Sequence, residues 1–217
     1  MTTPSSPDRP LRSDAERNRK RILEAAADVF AERGLDVSLD DIAVAAGVGV
    51  GTVYRRFPDK DALIDALFEA KIAHVEAVAR QALEIEDPWD AFEAFMRAVC
   101  RLQAEDRGLK EALLARDRGR DRVAMARERI APIAVQLLRR AQEAGVVRAD
   151  LGIFDVPLMH FTVGSLAERT RDVAPGYWER MLTILLDGLR ADAARTPMPG
   201  EPLRQEQFVA AMTARRP

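Results

Sequence analysis

Apolar residues return along this chain at helical spacing. Near the N-terminus Ile22, Ala25, Ala26, Val29 and Phe30 follow i, i+3, i+4, i+7 and i+8, an amphipathic helix that Gly34 can end in a left-handed cap. Leu39, Ile42, Ala43 and Ala46 repeat the spacing over a shorter stretch. Ser38 precedes that stretch with Asp41 three residues on, an approximate capping box, and Gly47 stops it. Val48 offers an apolar anchor inside the turn, and a third short helix runs through Val50, Val53, Tyr54 and Phe57 until Pro58 and Asp59 break it. Longer helical patterns cover about 60–82, 88–100, 108–115, 122–144, 155–171 and 175–193. Pro88 suits a first helical position, Pro157 a first turn, and Pro132 predicts a kink because its ring removes one backbone bond. Gly145 is the expected cap of the 122–144 helix, and Arg116 to Arg122 reads as an exposed connection. No stretch alternates apolar and polar positions over five or more residues, so no strand is expected.

The expected fold is therefore all-α, with an N-terminal three-helix helix-turn-helix domain over 14–60 and a larger helical domain over 61–195. Residues 1–13, rich in Ser, Thr and Pro, are expected to form a disordered arm. Residues 196–217 are expected to be a flexible tail, in which Leu203 to Met212 can form a loose helix.

Composition narrows the chemistry. The formal net charge is −2, which gives no prior for nucleic acid, so any such reading has to come from pattern. The one cysteine, Cys100, cannot close an intrachain disulfide or build a cysteine-rich metal site, which fits a reducing compartment. The start has no apolar signal region and no run of 18 apolar residues exists, so a soluble, cytoplasmic protein with no membrane partner is expected.

The informative segment is SLDDIAVAAGVGVGTVYRRFPDK, Ser38 to Lys60. Two short helices joined by a glycine turn, with alanine at Ala43 and Ala46, meet the steric demand of a helix-turn-helix, whose helices cross steeply. Thr52, Tyr54, Arg55 and Arg56 are then available to face bases, while Gly49 and Gly51 let the backbone approach phosphates. Arg17, Arg19, Lys20 and Arg21 cluster ahead of the acids Glu24 and Asp28, which favours phosphate contacts at the start of the first helix. Ser38 joins the candidate DNA-binding set.

Together with RILEAAADVFAERG and GTVYRRFPDKDALI, this segment resembles the TetR family of transcriptional regulators over roughly residues 17–66. Weaker likenesses, RRAQEAGVVRAD and YWERMLTILLDGLRAD, extend the resemblance to about residue 194. The resemblance implies an all-α homodimer whose third helix enters the major groove, with Val50, Gly51, Thr52 and Arg55 at base-contacting positions and Tyr54 and Lys60 at phosphate-contacting ones. Many members have Ser or Thr where this chain has Gly49, which caps a helix less well. The implied function is a ligand-responsive regulator, read as a repressor released from a pseudo-palindromic operator. The alternatives are an activator or ligand-independent DNA-binding protein and, behind both, an all-α enzyme.

His74 and His160 stand isolated in apolar helical contexts, and no nucleophile elbow, HExxH, P-loop or dinucleotide fingerprint is present, so no catalytic residue, metal or cofactor is assigned. By the resemblance, the 61–195 domain binds an effector and dimerises. Trp89, Phe92, Phe95, Met96, Cys100, Leu113, Met125, Met159 and His160, with His74, can line one cavity for a small hydrophobic effector; plain core is the competing reading of each. Trp178, Met181, Leu182, Leu185, Leu186 and Leu189 form a broad apolar stripe, and Phe161 with the small Gly164 lies on the preceding helix. These are the candidate dimer residues, in a two-fold four-helix interface.

Overall fold

A computed structural model of the chain describes residues 8–105, 119–193 and 196–213. Among them are nine α-helices: α1 (Asp8–Arg33), α2 (Leu39–Ala46), α3 (Val50–Arg56), α4 (Lys60–Leu83), α5 (Pro88–Glu105), α6 (Gly119–Glu143), α7 (Asp155–Thr170), α8 (Tyr177–Leu189) and α9 (Gln205–Thr213). The only extended pairing among the described residues is an isolated antiparallel bridge between Val147 and Arg190. The helix expected over 108–115 lies outside the described residues. None of the described helices is long and apolar enough to cross a membrane. The chain divides into two compact units, 1–69 and 70–217.

In the first unit α1 packs on α2 and α2 on α3. The predicted apolar stripes meet there: Ile22, Ala26, Ile42, Ala43 and Val53 are fully buried, with Phe30, Leu39, Ala46 and Phe57 close to it. Ala43 has no exposure at all, so a longer side chain would push α2 off its neighbours. The capping box forms as written: Asp41 N donates to Ser38 Oγ at 3.1 Å, and Ser38 N donates to Asp41 Oδ2 at 3.0 Å. Gly47 then reverses the chain at φ 60°, left-handed backbone that an L side chain adopts only at a cost. Asp59 starts α4 by accepting from Ala62 N at 2.7 Å. One expectation changes. Residues 8–13, assigned to a disordered arm, are the start of α1. Composition argued for disorder, but Pro10 falls in a first turn, where its missing N–H has no partner to lose.

In the second unit α5 packs against α6, α7 and α8, while α7 also packs on α8 and α6 on α9. Phe92, Phe95, Met96 and Cys100 of α5 share a core with Leu137, Leu138 and Ala141 of α6, Val163 and Ala167 of α7, and Trp178, Leu182, Leu186 and Leu189 of α8. α6 continues through Pro132, which is exposed. The segment after α6 is tied to the end of α8 by Arg148 N donating to Leu189 O at 2.9 Å and Ala191 N to Val146 O at 3.1 Å.

The tail expectation also changes. Residues 205–213 form α9, and Phe208, almost fully buried, stacks on Phe154 with ring centroids 5.2 Å apart. Asp150 Oδ2 accepts from Met198 N at 3.0 Å, and Arg148 donates to Thr196 O at 2.8 Å. Breakers at 197–202 hid this docking because they describe the link, whereas a single aromatic supplies the anchor.

Candidate nucleic-acid interface

α3 buries Val53 completely and turns the opposite side outward. Val50 and Tyr54, four residues apart, are 41% and 47% exposed, and Gly51 and Arg55 are exposed beside them. The result is a stripe of apolar, aromatic, bare-backbone and cationic groups on one seven-residue helix. A helix is about 10–12 Å across with side chains, and a B-form major groove about 12 Å wide, so α3 is of a size to enter it. Gly49 is the N-cap of α3 without a side-chain bond, as its missing hydroxyl requires. Arg55 and Arg56 lie in the last turn, where cations complement the helix dipole.

The two arginines are held differently. Arg55 Nε donates to Gly51 O at 3.2 Å and Nη2 to Thr52 Oγ1 at 3.3 Å, so its guanidinium lies along α3. Arg56 is drawn towards α1, with Nη2 4.0 Å from Glu16 Oε2. Thr52 is half-buried. On α1, Arg17 is paired with Asp14, and Lys20 lies 3.7 Å from Glu24, both in exposed pairs. Such pairs are worth little in water and exchange readily for phosphate. Ser38 is occupied by its cap, and the carboxyl of Asp41 is held below the usual carboxylate range by its bonds to the Ser38 side chain and backbone, with Arg33 nearby. Lys60 Nζ donates to Leu35 O at 2.7 Å, which leaves two of its three N–H groups for other acceptors.

Two residues depart from the sequence reading. Arg21, counted with the phosphate-facing cluster, instead donates through Nη2 to Ala46 O at 2.7 Å and Gly47 O at 3.1 Å. Nothing in local spacing signals a bond to carbonyls 25 residues on. Val44, outside the expected set, is 79% exposed on α2. Its signal was available: it is the one large apolar residue of α2 off the buried stripe.

The expected effector residues separate into two groups. Trp89, Phe92, Phe95, Met96 and Cys100 are buried on one face of α5, and His160 of α7, also buried, meets Phe95 edge-on at 5.5 Å. Met159 is half-buried against the same core. Trp89 Nε1 donates to Glu93 Oε2 at 2.6 Å, and the Arg190 guanidinium sits 3.9 Å over its ring. His74 and Met125 are exposed and do not join this set, and Leu113 lies outside the described residues. His74 and Met125 stand at helical spacing that equally describes the outward face of their helices.

The expected dimer stripe is likewise divided. Trp178, Leu182 and Leu189 belong to the chain's own core, as does Leu186. Gly164 is also internal: a Cβ built there would lie 2.9 Å from Gln103 Cβ, so its smallness serves the α5–α7 approach. Phe161, Met181 and Leu185 are half-buried, and Tyr177 and Ile184 are exposed beside them at 45% and 56%.

A tight-turned helix pair presenting a short helix defines a helix-turn-helix DNA-binding protein. The tetR family of bacterial regulatory proteins matches residues 22–67, and the C-terminal domain of SbtR-like transcriptional regulators matches residues 87–191. The fold resembles a TetR transcription regulatory protein from Mycobacterium vanbaalenii with a TM-score of 0.62, at 38% identity, over 83% of this chain and 99% of that one. The HTH-type transcriptional regulator SrpR of Pseudomonas putida is 31% identical over 150 residues, 65% of this chain and 68% of that protein. An HTH-type transcriptional regulator of Staphylococcus aureus is 43% identical over 82 residues, which span 36% of this chain and 39% of that protein. The chain belongs to the TetR family of transcriptional regulators, which are not enzymes.

Proposed function

We propose that this regulator is a cytoplasmic, ligand-responsive repressor that binds a pseudo-palindromic operator as a homodimer and leaves it when a small hydrophobic effector binds the 70–217 unit. The exposed stripe of Val50, Gly51, Tyr54 and Arg55 on α3 carries the operator half of the reading, because its groups match base edges, thymine methyls and phosphates. The half-covered residues Phe161, Met181 and Leu185 with exposed Tyr177 and Ile184 support a two-fold contact between copies. The buried aromatic face of α5, with His160 edge-on to Phe95, supports an apolar effector oriented by one polar group. A coupling of about 1–3 kcal/mol between effector and operator, typical of such switches, lowers operator affinity about 5- to 150-fold.

The test is fluorescence anisotropy of the purified chain on duplexes from the DNA upstream of its own coding region, followed by a thermal-shift screen of apolar compounds. Specific binding to an inverted repeat, released by a compound that raises the melting temperature, is the expected result. Equal affinity for upstream and random duplexes removes the operator. Specific binding that no stabilising compound relieves removes the ligand response.

A further inference from the structure

Building on the operator reading above, we propose that Thr52 is a positioning residue that orients Arg55 to read one guanine in each operator half-site. Gly51 and Thr52 lie four and three residues before Arg55, so both are within reach of its side chain along one face of α3. The reach is used: Arg55 Nε is fixed on Gly51 O at 3.2 Å, and Nη2 on Thr52 Oγ1 at 3.3 Å.

Those two bonds occupy one edge of a planar group that has five N–H donors. The adjacent edge, formed by Nη1 and the second Nη2 hydrogen, lies in the same plane and is not spent on those two bonds. Two parallel N–H groups in one plane are what guanine O6 and N7 accept in the major groove. Adenine offers a donor at the first of those positions, and the pyrimidines lack the pair.

Three further features favour Arg55 over its neighbour. Arg56 is 4.0 Å from Glu16 on α1, so part of its charge is already balanced. Gly51 carries no side chain, and the space where its Cβ would be is open to 4 Å, so a base pair can come close to the Arg55 stem. A long side chain held before DNA arrives also gives up less freedom on docking. Thr52 is suited to the holding role because it is half-buried on the helix next to fully buried Val53, which limits its own movement.

The experiment is selection by the full-length protein from duplexes with randomised half-sites, followed by anisotropy titration of the selected duplex. The titrations include its single-base variants and a version with 7-deazaguanine, which lacks the N7 acceptor. Wild type is expected to enrich guanine at one symmetry-related position, and Arg55→Ala to flatten that position, with a loss of roughly 5- to 150-fold in discrimination. Thr52→Val should cut the same preference severalfold, Thr52→Ser should keep it, and the double variant should match Arg55→Ala alone. The 7-deazaguanine duplex should weaken wild type and leave Arg55→Ala unchanged, a measurement that needs no Thr52 variant to fold. Guanine enrichment that survives Arg55→Ala overturns the proposal, as does full preference in Thr52→Val or a Thr52→Val effect at a different base position. Failure of wild type to enrich any sequence overturns the operator reading itself, and this inference with it.

Discussion

Arg21 caps the C-terminal end of α2 from another helix: its Nη2 lies 2.7 Å from Ala46 O and 3.1 Å from Gly47 O. The last carbonyls of a helix have no intrahelical donors, and here a cation supplies them while also facing the negative end of the dipole. The same atom is 3.0 Å from where a Cβ on Gly47 would stand. Arg21 and Gly47 are thus one device that sets the angle at which the chain leaves α2 for α3.

Arg21→Ala should therefore destabilise the first unit by about 1 kcal/mol, the net worth of a partly exposed hydrogen-bonded pair. Gly47→Ala should cost about 1–2 kcal/mol for the left-handed backbone. Because the added methyl presses on Arg21, the two effects should not add in a double-mutant cycle read by urea unfolding. Simple additivity would show that they act separately.

Acid should weaken the fold. Glu76 is held below the usual carboxylate range by hydrogen bonds from Arg80 and Arg129, Asp41 by those from Ser38, and Asp150 by those from Arg148 and Met198. A carboxyl whose folded value is depressed stabilises above its unfolded value and loses that contribution as pH falls through the folded one. Melting temperature should accordingly be level near neutrality and fall below about pH 4. Glu76→Gln should shallow that fall, and an unchanged acid limb would count against the Glu76–Arg129 contact, 2.7 Å between α4 and α6.

Ile184→Glu should separate the proposed dimer without harming the core. Ile184 is 56% exposed on the chain alone, whereas its neighbours Leu182 and Leu186 are fully interior. Sedimentation velocity should show a dimer for wild type and a monomer for the variant at micromolar concentration, with the same helical circular dichroism. A wild-type monomer that still binds the full operator would refute the two-fold assembly.

Phe208→Ala should lower stability by about 1.5–3 kcal/mol, the value of burying such a ring. It should leave base preference unchanged, since Phe208 and its partner Phe154 both lie in the second unit. Loss of operator specificity at temperatures where the variant stays folded would give α9 a role beyond packing.

Period and capping chemistry made most of this fold readable in advance. Ile22, Ile42 and Val53 were legible because a helix that buries one stripe must repeat it, and Ser38 with Asp41 because a cap is a local event. The same logic reached its limit at Trp178, Leu182 and Leu189. An apolar stripe tells that a surface is covered but not whether by this chain or another copy, and here the chain covers those three itself. His74 and Met125, both exposed, mark a related limit, since helical spacing places a residue on a face without saying what lies opposite. Arg21 and Phe208 were illegible because each acts on a partner far along the chain.

The chain's one cysteine, Cys100, is fully buried among Phe92, Phe95 and Met96. A thiol so enclosed reacts slowly with maleimides and other alkylating dyes. Fluorescent or spin labels can therefore be attached at cysteines introduced on open positions, such as Val44 on α2 or Val173 after α7, without first removing the native one. Single-molecule distance measurements across the two units become accessible in an otherwise unaltered chain.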